Sequence, residues 1–347
     1  MKSHTLVRIC ERLESIAARL PGALREPILR EVTPLKEMFL LARAPRFLVV
    51  GSPGLSDAAI FAALFGDEVP FSLEGGGQWR GITHKTRGGL RWLDGRLPVP
   101  VEVVKGSLAE EIPDMVLVAG SGTTESGDLD RACELVAFLN ERHDVRPPIL
   151  GISDGPPGDL NGALHARPEL SVSLKATLPL IPGAALAARV IELLPGEAKL
   201  DMARLSRSVE AQEAIAKTLV KSVSAMCGAI GAQPIPLADF PILTALQAAM
   251  VSGIVHISGR EWNPKLVAEF LGAIGANVGV GLVCRETARA AAKLVPGWGN
   301  AISGGVAGVG TYTVGRAAIS YFVHGHELPG KAQRKSFGRR FLRRRGE

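Results

Sequence analysis

Cysteine is scarce in this chain, and the four present (Cys10, Cys133, Cys227 and Cys284) stand far apart, with no CxxC and no Cys/His ligand spacing. That pattern excludes a disulfide scaffold and a zinc ribbon and suits reduced thiols in a cytoplasmic protein. Aromatic residues make up 5% of the chain and charged residues 21%. No stretch of about 20 predominantly apolar residues, the length a membrane-spanning helix needs, is free of polar interruptions. The opening segment MKSHTLVRICERLESIAARL carries charges along its apolar stripe and ends without a small-residue cleavage site, so it reads as an amphipathic helix and not as a secretory signal.

What is present is bulk for a core. The 347 residues are 46% hydrophobic, with a mean hydropathy of +0.19. This excludes wholesale disorder and is enough for two domains. The net charge of +6 is unevenly placed. Lys331 to Glu347 holds eight cations and one anion, which leaves 32 cations against 33 anions in the remainder. The basic balance therefore belongs to a tail and not to a folded surface, and nucleic acid is not the expected partner. Within the tail, Arg339, Arg340, Phe341, Arg343 and Arg344 combine cations with an aromatic ring, a composition that suits an anionic membrane surface.

The element pattern changes along the chain. Leu6, Ile9, Leu13, Ile16 and Leu20 form a helical stripe in an N-terminal segment, residues 1–45. From Arg46 apolar runs alternate with helical patterns: RFLVVG, DMVLVAG, PPILGIS and LSVSLKA read as strands. Leu90–Leu93 followed by Asp94-Gly95 and VPVEVV reads as a hairpin, because Asp-Gly supplies the positive φ angles of a tight turn. Residues 46–195 are thus expected to form an α/β domain with a largely parallel sheet. Beyond Ala198 no strand pattern occurs. Met202, Leu205, Val209, Gln212, Ala216, Leu219, Val223, Met226 and Ile230 alternate by three and four, which predicts one long helix. Helices near 240–258, 263–293 and 299–324 follow, so residues 196–330 form an all-α domain and 331–347 the basic tail.

RFLVVGSPGLSDAAIFAALFG resembles the first strand, phosphate loop and helix of Era-like small GTPases, a Ras-like P-loop fold. The frame G-x-x-x-x-G-K-[ST] places Gly51 on the first glycine and Ser56 on the second, with Gly54 between them; Asp57 then stands on the lysine and Ala58 on the Ser/Thr. The reacting groups of that loop are a cation on the β- and γ-phosphates and a hydroxyl on magnesium. Here they become an anion and a methyl group. Two unit charges about 4 Å apart interact by roughly 4 kcal/mol at an effective dielectric near 20, so the exchange of sign opposes a triphosphate strongly. By the same resemblance, Lys105 falls where the magnesium-binding D-x-x-G begins. Ser153 and Asp154 fall in the guanine-reading segment without its lysine or its final carboxylate. Thr83 matches the switch threonine and Ser173 the serine of the last motif.

Gly151-Ile152-Ser153-Asp154-Gly155 also fits the G-x-S-x-G nucleophile elbow, but Pro156-Pro157-Gly158 does not suit the helix that motif needs directly after the serine. The helical half resembles the YcjF-type C-terminal domain that accompanies Era-like GTPases in bacteria. The matching elements are Pro234, Pro236 and Asp239, the L-T-x-L-Q run ending at Gln247, and the Pro296-Gly297-x-Gly299 turn. Its glycine pairs, Gly275/Gly279 and Gly304/Gly308, suit close helix packing either in a peripheral membrane-contacting bundle or in a soluble one.

These resemblances imply a degenerate GTPase-like α/β domain plus an all-α domain. The expected role is that of a pseudo-GTPase scaffold or regulatory protein without canonical GTP hydrolysis, with no cofactor and no metal. Its partner would be another protein, such as a true GTPase of the same family, or a second copy, at the inner face of the cytoplasmic membrane. The alternatives are a GTPase that uses GTP/GDP and Mg through a noncanonical loop, and a membrane-inserting helical protein.

Overall fold

The structure is a computed structural model, and it describes residue 15 and residues 41–66, 76–84, 86–121, 125–181, 184–231, 239–261, 263–274 and 299–326. Pro234, Pro236, Pro296, Gly297, the Gly275/Gly279 pair and the tail from Arg339 to Arg344 lie outside the described residues.

RFLVVG forms strand β1 (Arg46–Gly51), whose Phe47 to Val50 are wholly buried. A run buried on both sides is what a central strand of a parallel sheet requires. β1 leads through a short loop into helix α1 (Asp57–Phe65). Next come β2 (Arg80–His84), β3 (Gly88–Asp94), α2 (Val101–Glu110), β4 (Met115–Gly120) and α3 (Ser126–His143). The unit continues with β5 (Ile149–Ser153), α4 (Pro157–His165), α5 (Pro168–Ser171), β6 (Leu174–Pro179), α6 (Ala184–Leu193) and α7 (Gly196–Leu205). The six strands lie in the order β2-β3-β1-β4-β5-β6, parallel except for the β2–β3 pair. This is an α/β domain with a mixed, mostly parallel sheet.

One face carries Leu48, Val50, Leu93, Val116 and Val118 against Val104 and Leu108 of α2, Leu135 and Leu139 of α3, and Leu160 and Leu164 of α4. On the other, Trp92 packs between Phe47 and Phe61 of α1, with ring centroids 5.9 and 4.5 Å away. After β1 the chain moves to one side of the sheet, and after β3 it crosses to the other. The switch therefore falls at β1, and its loop opens at the carboxyl ends of the strands, where open α/β sheets bind ligands.

Three expectations change here. The hairpin is β2–β3, closing ahead of Gly88, whose φ of 92° suits glycine. Asp94-Gly95 instead ends β3 beside β1. VPVEVV does not resume as a strand: Pro98 and Pro100 cannot donate to a ladder, and Val101, Val104 and Leu108 already carry helical spacing, with the last two buried in α2. LSVSLKA is divided, its first residues ending α5 and its last opening β6. The single long helix is also divided, at Arg207, whose φ is 53°. Ser208 then accepts from the Ala211 amide at 3.3 Å and caps the first turn of α8 (Val209–Gly231).

By internal contacts residues 42–211 form one unit, so α7 and the following turn go with the sheet and not with the helical region in which the sequence places them. The second unit, from Gln212, contains most of α8, α9 (Asp239–Ile257), α10 (residues 264–274) and α11 (Gly299–Ala318), which ends in a π turn over Ile319–Val323. Among the described residues α8 is long and apolar enough to cross a membrane, with a mean hydropathy of 1.2, but 67% of that stretch is buried in the fold. The buried side chains include Ile215, Leu219, Val223 and Met226. Gly315 brings α11 against Val220: a Cβ there would come within 2.5 Å of a Val220 methyl. Asp239 opens α9, and Gly299 opens α11. Gln247, placed on α9, donates from Nε2 to Thr311 Oγ1 at 3.0 Å, satisfying a fully buried hydroxyl.

Candidate functional site

The loop after β1 begins at Gly51, with φ at 94°. A Cβ here would lie 2.3 Å from the Ala119 carbonyl oxygen of β4, so glycine is required on two counts. Ser52 donates its amide to Ala119 O at 2.8 Å, and its hydroxyl meets that of Ser121 at 2.8 Å. The Gly54 amide is spent on Ser52 Oγ at 3.2 Å. Ser56 is the N-cap of α1, accepting from the Ala59 amide at 3.2 Å, which leaves Asp57 and Ala58 in the first turn. The segment is thus built as a strand, a glycine turn and a capped helix. The direction of the backbone differs from that of a phosphate cradle. Two of the loop amides turn inward to the protein, and the Leu55 carbonyl points into the site.

Arg96 fills that site. Its guanidinium donates from Nη1 to Leu55 O and from Nη2 to Asp57 Oδ1, both as short contacts. It also forks onto Asp94, with Nε to Oδ1 at 2.8 Å and Nη2 to Oδ2 at 2.9 Å, while the Arg96 amide donates to Asp94 Oδ1 at 3.0 Å. Arg96 is 5% exposed. Burial works against its charge, but the hydrogen bonds and charges of Asp94 and Asp57 outweigh it and raise its pKa. Burial pushes the Asp57 carboxyl up, opposed by Arg96 and reinforced by Asp94. One cation thus sits between two carboxylates and a carbonyl, beneath the N-terminus of α1.

The other sequence-derived positions fall in two groups. Lys105 is not at a strand end; it stands in α2 and pairs with Glu134 at 2.6 Å and Glu102 at 3.1 Å. The residue that ends the strand beside β1 is Asp94, in the run Asp94-Gly95-Arg96-Leu97, with the Gly95 amide bonded to Val49 O at 2.8 Å. Asp94, and Arg96 with it, were missed because Asp-Gly reads as a turn; the signal was there in an aspartate closing the apolar run Leu90–Leu93. Thr83 pairs with Gly89 at the amino end of β3. Ser173 precedes β6, where its carbonyl accepts from the Ile149 amide at 2.9 Å at the start of β5. Both therefore lie at the opposite end of the sheet from the β1 loop, and neither belongs to the site.

Ser153 and Asp154 do lie at the carboxyl end. Ser153 Oγ accepts from the Gly155 amide at 3.2 Å, and Asp154 donates its amide to Gly120 O at 3.3 Å. Ser153 is buried, and α4 starts only at Pro157, so the arrangement is a strand end and a turn, not a nucleophile elbow. A cavity of about 450 Å³ opens beside them, lined by Ser121, Ser126, Ser153, Asp159, Leu160 and Arg167 among others. Arg167 is already engaged there by Asp130 at 2.9 Å and by Ser126.

A magnesium–triphosphate does not fit the β1 loop as built. The position that the resemblance gives to a lysine carries the Asp57 carboxylate, the position it gives to a hydroxyl carries the Ala58 methyl, and the Arg96 guanidinium occupies the space beside Asp57. Among the described residues no group of three or more His, Cys, Asp or Glu side chains is placed to hold a metal ion. No protein-family model matches the chain, and no curated protein matches it.

Proposed function

We propose that residues 42–211 are a pseudo-GTPase: a Ras-like domain in which the chain's own Arg96 takes the place of nucleotide and magnesium, and which serves a protein partner as a scaffold or regulator. The observation that carries this reading is the Arg96 side chain, buried between Asp57 and Asp94. In a phosphate loop, inward amides and a lysine receive an anion. In this chain a carbonyl and two carboxylates receive a cation, so the sign of the site is inverted. The strand order, the antiparallel β2–β3 edge, the loop at the switch point and an aspartate closing the strand beside β1 all support a GTPase-like ancestry for the frame. Asp57 in the lysine position supports the loss of its chemistry.

The test is calorimetric titration of the purified full chain with a non-hydrolysable GTP analogue, and with GDP, in the presence of magnesium. No saturable binding at micromolar nucleotide is expected. Micromolar or tighter binding of either nucleotide overturns the proposal.

A further inference from the structure

In working GTPases the segments around the nucleotide are ordered by contacts of the γ-phosphate and its magnesium, and they are released on hydrolysis. One such segment flanks the Arg96 site here, the β3–α2 loop; the β2–β3 hairpin closes at the other end of β3, away from that site. Each is tied down by groups that belong to the chain.

The loop is held from two sides. Arg96 fastens its start to Leu55 and Asp57. Arg131 of α3 donates from Nε to Gly95 O at 2.7 Å and from Nη2 to Val99 O in a short contact. Val99 N closes a turn onto Arg96 O at 3.2 Å. Residues 76–79 are tied in as well: Gly77 donates its amide to Asp94 O at 2.9 Å and accepts from Ser107 Oγ at 2.7 Å, and the Trp79 indole donates to Ser107 O at 3.0 Å.

The hairpin is held at its tip by α7. Asp201 accepts from the Gly89 amide at 3.1 Å, Arg204 donates to Thr86 O, and the two side chains pair at 3.3 Å. Gly88 leaves the room: a Cβ there would lie 2.5 Å from the Asp201 carboxylate. Helix α7 itself is anchored by Leu200, Met202, Ala203 and Leu205, each no more than 1% exposed.

We infer that these two segments, at opposite ends of β3, are held in order by internal clamps, Arg131 on the β3–α2 loop and the Asp201/Arg204 pair on the β2–β3 hairpin, and that nucleotide has no part in ordering either segment. The inference rests on the pseudo-GTPase reading and adds to it the means of regulation: the loop after β3, which a GTPase orders through its nucleotide, is held by the chain itself. α7 is then a working part of the sheet unit and not a linker.

Hydrogen exchange of the full chain, followed by mass spectrometry with and without GTP and magnesium, tests it. In the wild type, peptides covering 80–94 and 95–103 are protected, and nucleotide leaves their exchange unchanged. Asp201→Ala removes an acceptor from a buried amide and the partner of Arg204, so exchange in 80–94 rises at least about tenfold while 95–103 stays as it was. Arg131→Met does the reverse. Asp201→Asn keeps the shape and an acceptor for Gly89 but loses the charge, and gives a smaller rise in the same peptides if the alanine variant fails to fold. Exchange of the wild-type segments at the rate of unprotected chain overturns the inference, as does an unchanged 80–94 in both Asp201 variants. Calorimetric nucleotide binding with unchanged protection removes the pseudo-GTPase reading but leaves the clamps. Protection that rises with nucleotide removes both.

Discussion

Two buried arginines sit at opposite ends of the same sheet, and burial treats them differently. At the carboxyl end, Arg96 meets two carboxylates and a carbonyl, and its pKa is raised despite its burial. At the amino end, Arg204 meets one carboxylate and one carbonyl; burial dominates and lowers its pKa, and its Nε has no hydrogen-bond partner among the described residues. Asp201, its partner, is pushed up by burial even with the Gly89 amide and Arg204 opposing. The difference is one of stoichiometry. A guanidinium has five donors in a fixed fork, and a low-dielectric site offsets its desolvation only when enough acceptors and charge converge on it. The Arg96 cage meets that condition and the Arg204 clamp meets it in part. On the proposed reading the first stands in for a ligand, while the second ties two elements together.

The comparison breaks most readily at Arg96. Arg96→Ala leaves Asp57 and Asp94 facing each other without a cation in a buried site, a loss of about 3–5 kcal/mol in the stability of the sheet unit. Urea denaturation of the full chain reads it. Adding Asp57→Ala to that variant recovers a substantial part of the loss, because the two residues form one network and their effects do not add. A loss below about 1 kcal/mol would mean that the cage is not electrostatically closed. Arg204→Met is expected to cost less, about 1–2 kcal/mol by the same measurement, because Asp201 keeps the Gly89 amide and an under-satisfied guanidinium leaves the interior. If Arg204→Met proves as costly as Arg96→Ala, the distinction drawn between cage and clamp fails.

How much of this was legible in the sequence depends on the range of the interaction. The β1 run, the glycine loop and α1 are local features: apolar strand, Gly51, the Ser56 cap and the helical spacing all fall within twenty residues, and all stand where the pattern puts them. The two-part division into a sheet region and a helical region is compositional and was equally plain. The end of the sheet to which a residue belongs is not local. Thr83 and Ser173 satisfy short motifs, yet strand direction and pairing, which only the assembled sheet specifies, carry both away from the loop. Asp94-Gly95 illustrates a competition between principles. Asp-Gly is a strong hairpin signal, but Pro98 and Pro100 remove two ladder donors and the valine spacing favours a helix, so the turn passes to the other end of β3. Arg96 was invisible for the same reason as most buried ion pairs: Asp57 is far away in sequence, and nothing in either local pattern announces the other.

Lys105 supplies the last and smallest effect, and it tests the assignment itself. Motif arithmetic placed it over the metal position, where removing its charge would change the site. In the fold it stands on α2, with its ammonium held at the surface by Glu134 and Glu102, and those hydrogen bonds, Glu134's first, raise its pKa. Exposed pairs of this kind contribute little, being screened by water and opposed by side-chain entropy. Lys105→Met should therefore leave the melting temperature of the full chain within the scatter of replicate scans, and leave the exchange of residues 95–103 at the wild-type rate. If it instead destabilises the chain as Arg96→Ala does, the pairs of Lys105 with Glu134 and Glu102 are more than weak, screened surface contacts.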